Sequence, residues 1–418
     1  MTTEELDLAT WPIFYRMSRR GLMVDFARFD ALKLDVVAQM AEQLVIAEIE
    51  AGREINPSSG DDVARWLVEE GLVTKQTKGK TRMATDERSL SQLPQHPVID
   101  AVLEYRGLRK LLGTFIEPTV EMAKRDPVPH TSDVGLLAGV VHPKWRLTKV
   151  KSGRVATEDP NLLAFPSRTE LGKKVRSCFV ARPGYKMVSV DFSQLEPRIV
   201  AALSGDPGLL GIFAEDQDLY SQIAARLGVN RTVAKILTLG ILYGMEPNRL
   251  YEQLLMAGCT VGDPPIPVYG VEDCESLIRA WFFSYPKVKE LVNATCAKAR
   301  MCGGWAYTVG GRGRLLPGLF LTGNRWPSSK LREESERQAF NHLVQGSGME
   351  QLRLAMLRTS VMDEVHMLLV IHDEILLEVP EGDAERHAES VAMQVATTFN
   401  GVELKVSYKV GGDWGEVK

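Results

Sequence analysis

Apolar positions in the first part of the chain recur at helical spacing. Residues 15–52, YRMSRRGLMVDFARFDALKLDVVAQMAEQLVIAEIEAG, end in Ala-Gly and predict one long amphipathic helix with a C-terminal stop. Residues 74–82, TKQTKGKTR, are polar, basic and broken by glycine, so they read as a loop, either solvated or touching phosphate. Residues 96–129 form another helical pattern closed by prolines, after which HPKWRLTKVKSGRVATEDPNL turns basic and marks a subdomain boundary near residue 150. The pattern then shifts. YKMVSV, residues 185–190, is a short β-prone run, PRIVAALSG has helix-like spacing ended by Gly205, and GVNRTVAKILTLGILYGM is helical again. HMLLVIHDEILLEVP, residues 366–380, is two apolar β-like runs with a very short polar connection, which predicts a tight hairpin with His372, Asp373 and Glu374 at its tip. No internal repeat or low-complexity tract is visible.

Composition narrows the class. The chain has 418 residues, 44% of them hydrophobic and 25% charged, enough for a sizeable core and two or three subdomains of an ordinary soluble protein. No apolar run approaches the roughly 20 residues of a membrane helix, and the acidic start MTTEELDLATW does not suit a leader, so a cytoplasmic protein without membrane contact is expected. Five cysteines with no C-x-x-C pair argue against a disulfide framework or a zinc ribbon. The net charge of −4 means that any nucleic acid would be held by a local basic surface.

Three stretches carry candidate chemistry. In VSVDFSQLEPRIVAAL, Asp191 falls where strand gives way to helix, a usual place for functional side chains. Read alone it is a turn or cap residue, and Ser193 with Glu196 has capping-box spacing before Pro197. The 372–374 tip changes the balance: Asp191 and Asp373, if brought together, could hold two hard divalent cations about 3.5–4 Å apart through oxygen ligands. In the third stretch Asn230 can cap a helix on which Arg231, Lys235, Leu239 or Thr238, and Leu242 or Tyr243 share one face. Two cations four residues apart repel unless an anion such as a triphosphate lies between them; the alternative is a solvated face with a structural tyrosine.

Together these stretches resemble the polymerase motifs of family A DNA polymerases, the bacterial DNA polymerase I family. DFSQLEPR is similar to D-Y-S-Q-I-E-L-R, RTVAKILTLGILYG to R-x-x-x-K-x-x-x-F-G-x-x-Y-G, and VIHDE to V-H-D-E. In the same order, SGRVATEDPNL resembles T-G-R-L-S-S-x-D-P-N-L, TVGGRGRLLP resembles T-x-x-G-R-x-R-x-L-P, and ERQAFNHLVQGSG resembles E-R-x-A-x-N-x-x-x-Q-G. RGLMVD, INPSS and LEYRGLRKL resemble the family's thumb, so the likeness spans nearly the whole chain.

The resemblance implies an α+β, right-hand polymerase fold with an antiparallel palm sheet and helical fingers and thumb. Residues 1–24 would form a segment at the palm/thumb base, 25–150 the thumb, 151–205 and 331–418 the palm, and 206–330 the fingers. It implies a monomeric DNA-directed DNA polymerase acting on primer-template DNA and dNTPs with two Mg²⁺ ions. Asp191, Asp373 and the Phe192 carbonyl would hold the metals, Glu374 would support them, and Lys235 would serve as acid as well as triphosphate ligand. Ser193, Gln194, Glu196, Arg231, Leu239, Tyr243 and His372 would bind the nucleotide, Glu196 by blocking a 2′-OH. Arg154, Arg312, Arg337, Asn341 and Gln345 would contact DNA, Arg154, Arg337, Asn341 and Gln345 in the minor groove, where acceptors are shared by every base pair.

Three departures stand out: Leu239 replaces the usual Phe or Tyr, Leu163 a common glutamine, and Pro197 a leucine. Leucine at position 239 implies a viral or prophage member. The chain starts at the thumb, so no proofreading or 5′-nuclease domain is expected in it; proofreading, if it exists, would come from another chain, as would any processivity factor. Two alternatives are a phage-type RNA polymerase, which usually has a small residue at the Glu196 position and lacks the second acid after Asp373, and a non-catalytic primer-template binding module.

Overall fold

In the computed structural model, residues 1–73, 84–129, 137–147, 149–167, 169–261, 266–267 and 269–418 are described. The basic stretch 74–82 lies outside them. Helix α1 (Thr3–Arg20) begins at Thr2 with a capping box to Glu5 and ends at Gly21. Gly21 has φ 64°, and a Cβ there would sit 2.5 Å from the Val141 carbonyl oxygen, so only glycine fits the break. The chain then forms strand β1 (Leu22–Asp25), and Asp25 caps α2 (Phe26–Ala51) by accepting from the Arg28 amide. The single helix expected over 15–52 is thus two helices with a strand between them. Leu22-Met23-Val24 suits either period, and pairing with distant strands decides it.

Helices α3 (Gly60–Glu69) and α4 (Pro97–Leu111) follow, with α2 and α4 packed along each other and Trp66, Leu67, Val98 and Val102 buried in a local core. Strands β2 (Pro127–Pro129), β3 (Leu137–Val141) and β4 (Phe179–Val180) join β1 in the order β2-β3-β1-β4, with Leu22 opposite Val141 and Met23 opposite Val180.

The second sheet begins with β5 (Tyr185–Phe192). Helices α5 (Leu195–Ser204), α6 (Pro207–Ala214), α7 (Leu219–Leu227), α8 (Arg231–Leu242), α9 (Val271–Ser284) and α10 (Pro286–Met301) precede a hairpin of β6 (Trp305–Tyr307) and β7 (Gly313–Leu315). The long α11 (Ser328–Thr359) returns the chain to β8 (His366–Ile371), β9 (Glu374–Pro380), α12 (Ala384–Val395) and β10 (Val406–Gly411). The sheet is antiparallel in the order β8-β9-β5-β10.

β5 is a central strand, so both of its faces are covered and its residues divide by parity. Val188, Val190 and Phe192 join Ile375, Leu377 and Val379 in the core that contains Leu352 and Met356 of α11. Met187 joins Leu369, Ile371 and Leu376 in the other core, with Phe29, Phe179 and Trp414. Ser189 and Asp191 follow Met187 on that second face.

Charged locks tie α1 to the body. Glu378 is fully buried and accepts from Arg20 Nε and Arg182 Nη1, both at 2.9 Å, and from the Arg182 amide at 3.0 Å. Near the other end of α1, Asp7 accepts from Arg312 Nη2 at 2.7 and 2.8 Å and from the buried Arg353. A buried carboxylate is tolerated only when cations and amides satisfy it, and Glu378 has both.

Candidate active site

The site starts at the end of β5. Asp191 lies opposite Glu374 of β9 on one side and Ser407 of β10 on the other. β8 and β9 are joined by only His372 and Asp373, with His372 at φ 56°, the left-handed conformation that a two-residue hairpin loop needs. The Phe192 amide donates to the Asp373 carbonyl at 3.2 Å, which fixes the turn against the strand end. Asp191 and Asp373 line the same cavity, close enough for the charge of one to act on the other.

Burial is the main reason that Asp191 is pushed up to about 7, and the charge of Asp373 adds to it; Asp373 is raised as well, again chiefly by burial. Asp191 Oδ1 is buried and has no hydrogen-bond partner. Among the described residues no group of three or more His, Cys, Asp or Glu forms a metal cluster. The oxygen set is therefore two carboxylates with adjacent backbone carbonyls, which fits hard divalent cations whose remaining ligands come from water and substrate.

Glu374 does not enter the cavity beside the dyad. Its carboxylate is fully buried, accepts from Ser189 Oγ at 2.6 Å and pairs with Lys418. The expected capping box of Ser193 and Glu196 does not form either. α5 is entered through Gln194 in the left-handed conformation without a side-chain cap. Glu196 instead accepts from Arg154 Nη2 at 2.9 Å, with Tyr243 lining the same cavity beside it. Burial raises the Glu196 carboxyl despite the Arg154 guanidinium, and burial with the neighbouring Glu196 pushes Tyr243 up to about 12.

α8 is capped as its sequence suggests, with Asn230 Oδ1 accepting from the Val233 amide at 2.9 Å. Val233, Leu237 and Ile241 are buried, which turns Lys235, Leu239 and Tyr243 to the opposite side. These three line a cavity of about 510 Å³ together with Asp191, Phe192 and Asp373. Ser193, Gln194, Glu196, Arg154, Gln345 and His372 complete the expected residues around it.

Other expected residues are placed elsewhere. Arg231 is paired with Asp218, and Arg312 is held by Asp7. Arg337 pairs with Glu246 at 2.9 Å and lines a separate cavity, and Asn341 lies one turn further along α11, partly buried. Tyr220 of α7 was not singled out from the sequence, yet it lines the main cavity and lies under both Arg231 and Lys235. A tyrosine in a helix otherwise patterned for burial carries no local signal of this role.

Comparison with known proteins places these features in a wider set. The family model described as DNA polymerase family A matches residues 28–416. A thermostable DNA polymerase I of Thermus thermophilus is 34% identical over 99% of this chain and 48% of the relative. DNA polymerase I of Deinococcus radiodurans is 31% identical over 99% of this chain and 42% of the relative. The chain thus spans about half the length of the curated relatives it matches. Among solved structures, the POL domain of Pol1 from M. smegmatis, in complex with DNA primer-template and dNTP, superposes with a TM-score of 0.81 at 27% identity, covering 98% of this chain and 70% of that one.

Proposed function

The chain belongs to DNA polymerase family A, and from that premise we propose that it is a template-directed DNA polymerase adding dNTPs to a primer 3′-OH. The observation that carries the reading is that Asp191 and Asp373 line one cavity together with Lys235, Leu239 and Tyr243. In this reading residues 25–150 are the thumb, 206–330 the fingers, and the segments around β5 and β8–β10 the palm.

Asp191, Asp373 and the Phe192 carbonyl would hold two Mg²⁺ ions. When bound, such a pair lowers the pKa of an attacking hydroxyl and neutralises charge on the leaving oxygen. The chain's own residues do the rest. Lys235 binds triphosphate oxygens and can give a proton to the departing pyrophosphate. Glu196, held by Arg154, fills the space beside the sugar 2′ carbon and excludes a hydroxyl there. Leu239, one turn from both Lys235 and Tyr243, contacts the sugar. Ser193, Gln194 and His372 line the nucleotide's cavity, and Arg154 and Gln345 sit where the primer terminus and its minor groove would enter.

Primer extension on a defined template tests this directly, with dNTPs compared against NTPs. Extension with dNTPs that is lost in Asp191→Ala and Asp373→Ala, while both variants still bind the duplex, is expected. Extension by either variant at the wild-type rate overturns the metal assignment. Preference for NTPs would instead indicate an RNA polymerase, and duplex binding without extension a binding module.

A further inference from the structure

α7 and α8 meet through charge. Asp218 caps α7, its Oδ2 accepting from the Ser221 amide at 2.8 Å. The same carboxylate receives Arg231 in a two-pronged pair, Nε to Oδ2 and Nη2 to Oδ1, both at 2.9 Å. Two residues on, the Tyr220 ring lies 5.6 Å from the Arg231 guanidinium and 6.0 Å from the Lys235 ammonium, centre to centre. Lys235 and Tyr220 belong to the wall of the cavity that contains Asp191 and Asp373. Arg231, one turn before Lys235, is turned to Asp218 instead. Of the two cations that α8 can offer an anion, one faces the cavity and one is neutralised by the neighbouring helix.

We propose that Asp218 is a competing anion that holds Arg231 until a nucleotide triphosphate takes the guanidinium over, so that Asp218 sets the apparent affinity for the nucleotide. The proposal rests on the polymerase reading above and adds a positioning residue to it. Both side chains are open to water, Arg231 at 57% and Asp218 at 36% exposure, so the pair can exchange. An exposed pair of this kind changes a binding constant about two- to fivefold, strong enough to tune affinity and too weak to lock the helix. The guanidinium fork that fits a carboxylate fits two phosphate oxygens equally well, and a triphosphate carries the greater charge. The Tyr220 ring underlies both cations, so Arg231 can trade its anion while keeping its aromatic support.

Asparagine caps a helix as well as aspartate does, so Asp218→Asn removes the negative charge and keeps α7 capped. Two ligands are titrated into wild type, Asp218→Asn, Arg231→Ala and the double variant. One is Mg²⁺–dNTP on a primer-template ended by a dideoxynucleotide; the other is inorganic tripolyphosphate with the protein alone. Asp218→Asn is expected to lower Kd two- to fivefold for both, with the gain shrinking as salt rises and vanishing in the Arg231→Ala background. Unchanged binding in Asp218→Asn overturns the proposal, because Asp218 would then not compete, and weaker binding overturns it too, because Asp218 would then orient Arg231 for the nucleotide. Tightening that persists without Arg231 overturns it too, since the gain would be a general loss of negative charge. Extension of an ordinary primer by the wild type is scored separately, and its absence counts against the polymerase reading, while the tripolyphosphate arm still decides on Asp218.

Discussion

Replacing Asp191 by asparagine should stabilise the metal-free protein while abolishing its chemistry. Asp191 ionises near 3.8 in an unfolded chain and near 7 in the fold, because burial and Asp373 oppose its charge. At ~1.4 kcal/mol per tenfold change in proton affinity, ionising it in place costs about 4 kcal/mol as a ceiling. Water at its partly exposed edge and proton sharing with Asp373 reduce that to roughly 2 kcal/mol. The native state binds the extra proton, so this stability is fully present below pH 3.8 and is lost as pH rises through about 7. In a chelator, the Tm of wild type should therefore fall between pH 5 and pH 8 more than that of Asp191→Asn. The variant should melt about 2 °C higher at pH 8, given the entropy of unfolding a chain of this size. Added Mg²⁺ should raise the wild-type Tm most at pH 8, where the carboxylates repel, and should do far less for the variant. Thermal unfolding followed by circular dichroism across this range is the assay. A chelated Asp191→Asn that melts at or below wild type at pH 8 would refute the reasoning, because the dyad would then not be a strained pair of charges.

Three further outcomes follow from the same geometry. Glu378→Ala strands two arginines against a buried site and should cost about 3 kcal/mol, seen as a lower Tm with extension per folded molecule retained at low temperature. Glu196→Ala opens the space beside the sugar and releases Arg154, so discrimination against ribonucleotides should fall about tenfold or more in single-turnover kinetics; an unchanged ratio would leave Glu196 only its pairing role. Leu239→Phe should raise the rate of correct incorporation and Leu239→Tyr the acceptance of dideoxynucleotides, each about tenfold, because an aliphatic side chain positions the sugar less firmly; if neither changes, Leu239 does not touch the sugar.

What could be read from the sequence was local. A β-run ending in Asp191, a two-residue connection at His372-Asp373 and an Asn230 cap all depend on neighbours a few residues away, and the structure contains each of them. What could not be read depends on distant partners. Leu22–Asp25 is a strand only because β3 and β4 flank it, and Glu196 leaves its local capping role because Arg154, 42 residues upstream, reaches it. Arg231, Arg312 and Arg337 have the spacing of substrate-binding cations, yet each is paired with a carboxylate, Asp218, Asp7 and Glu246, that no motif connects to it. Sequence spacing gives the face of a helix; it does not give the charge that faces it.

That distinction divides the site into two kinds of support. Asp191 and Asp373 are held by a central strand, a minimal turn and the Phe192 amide, with apolar cores on both sheet faces, so opening them requires disrupting the sheet itself. Chemistry that loses about a hundredfold in rate for a misplacement of ~1 Å needs that kind of support. The α8 side, proposed to bind the nucleotide, is built differently. Lys235 and Arg231 stand on the exposed face of α8, and their local partners are an aromatic ring and a solvent-exposed carboxylate. Contacts of that strength exchange readily, which suits the polyanion binding and release proposed for these residues. On the polymerase reading proposed above, the buried carboxylates would fix where reaction occurs, and the exposed cations would govern how tightly the reactant is held.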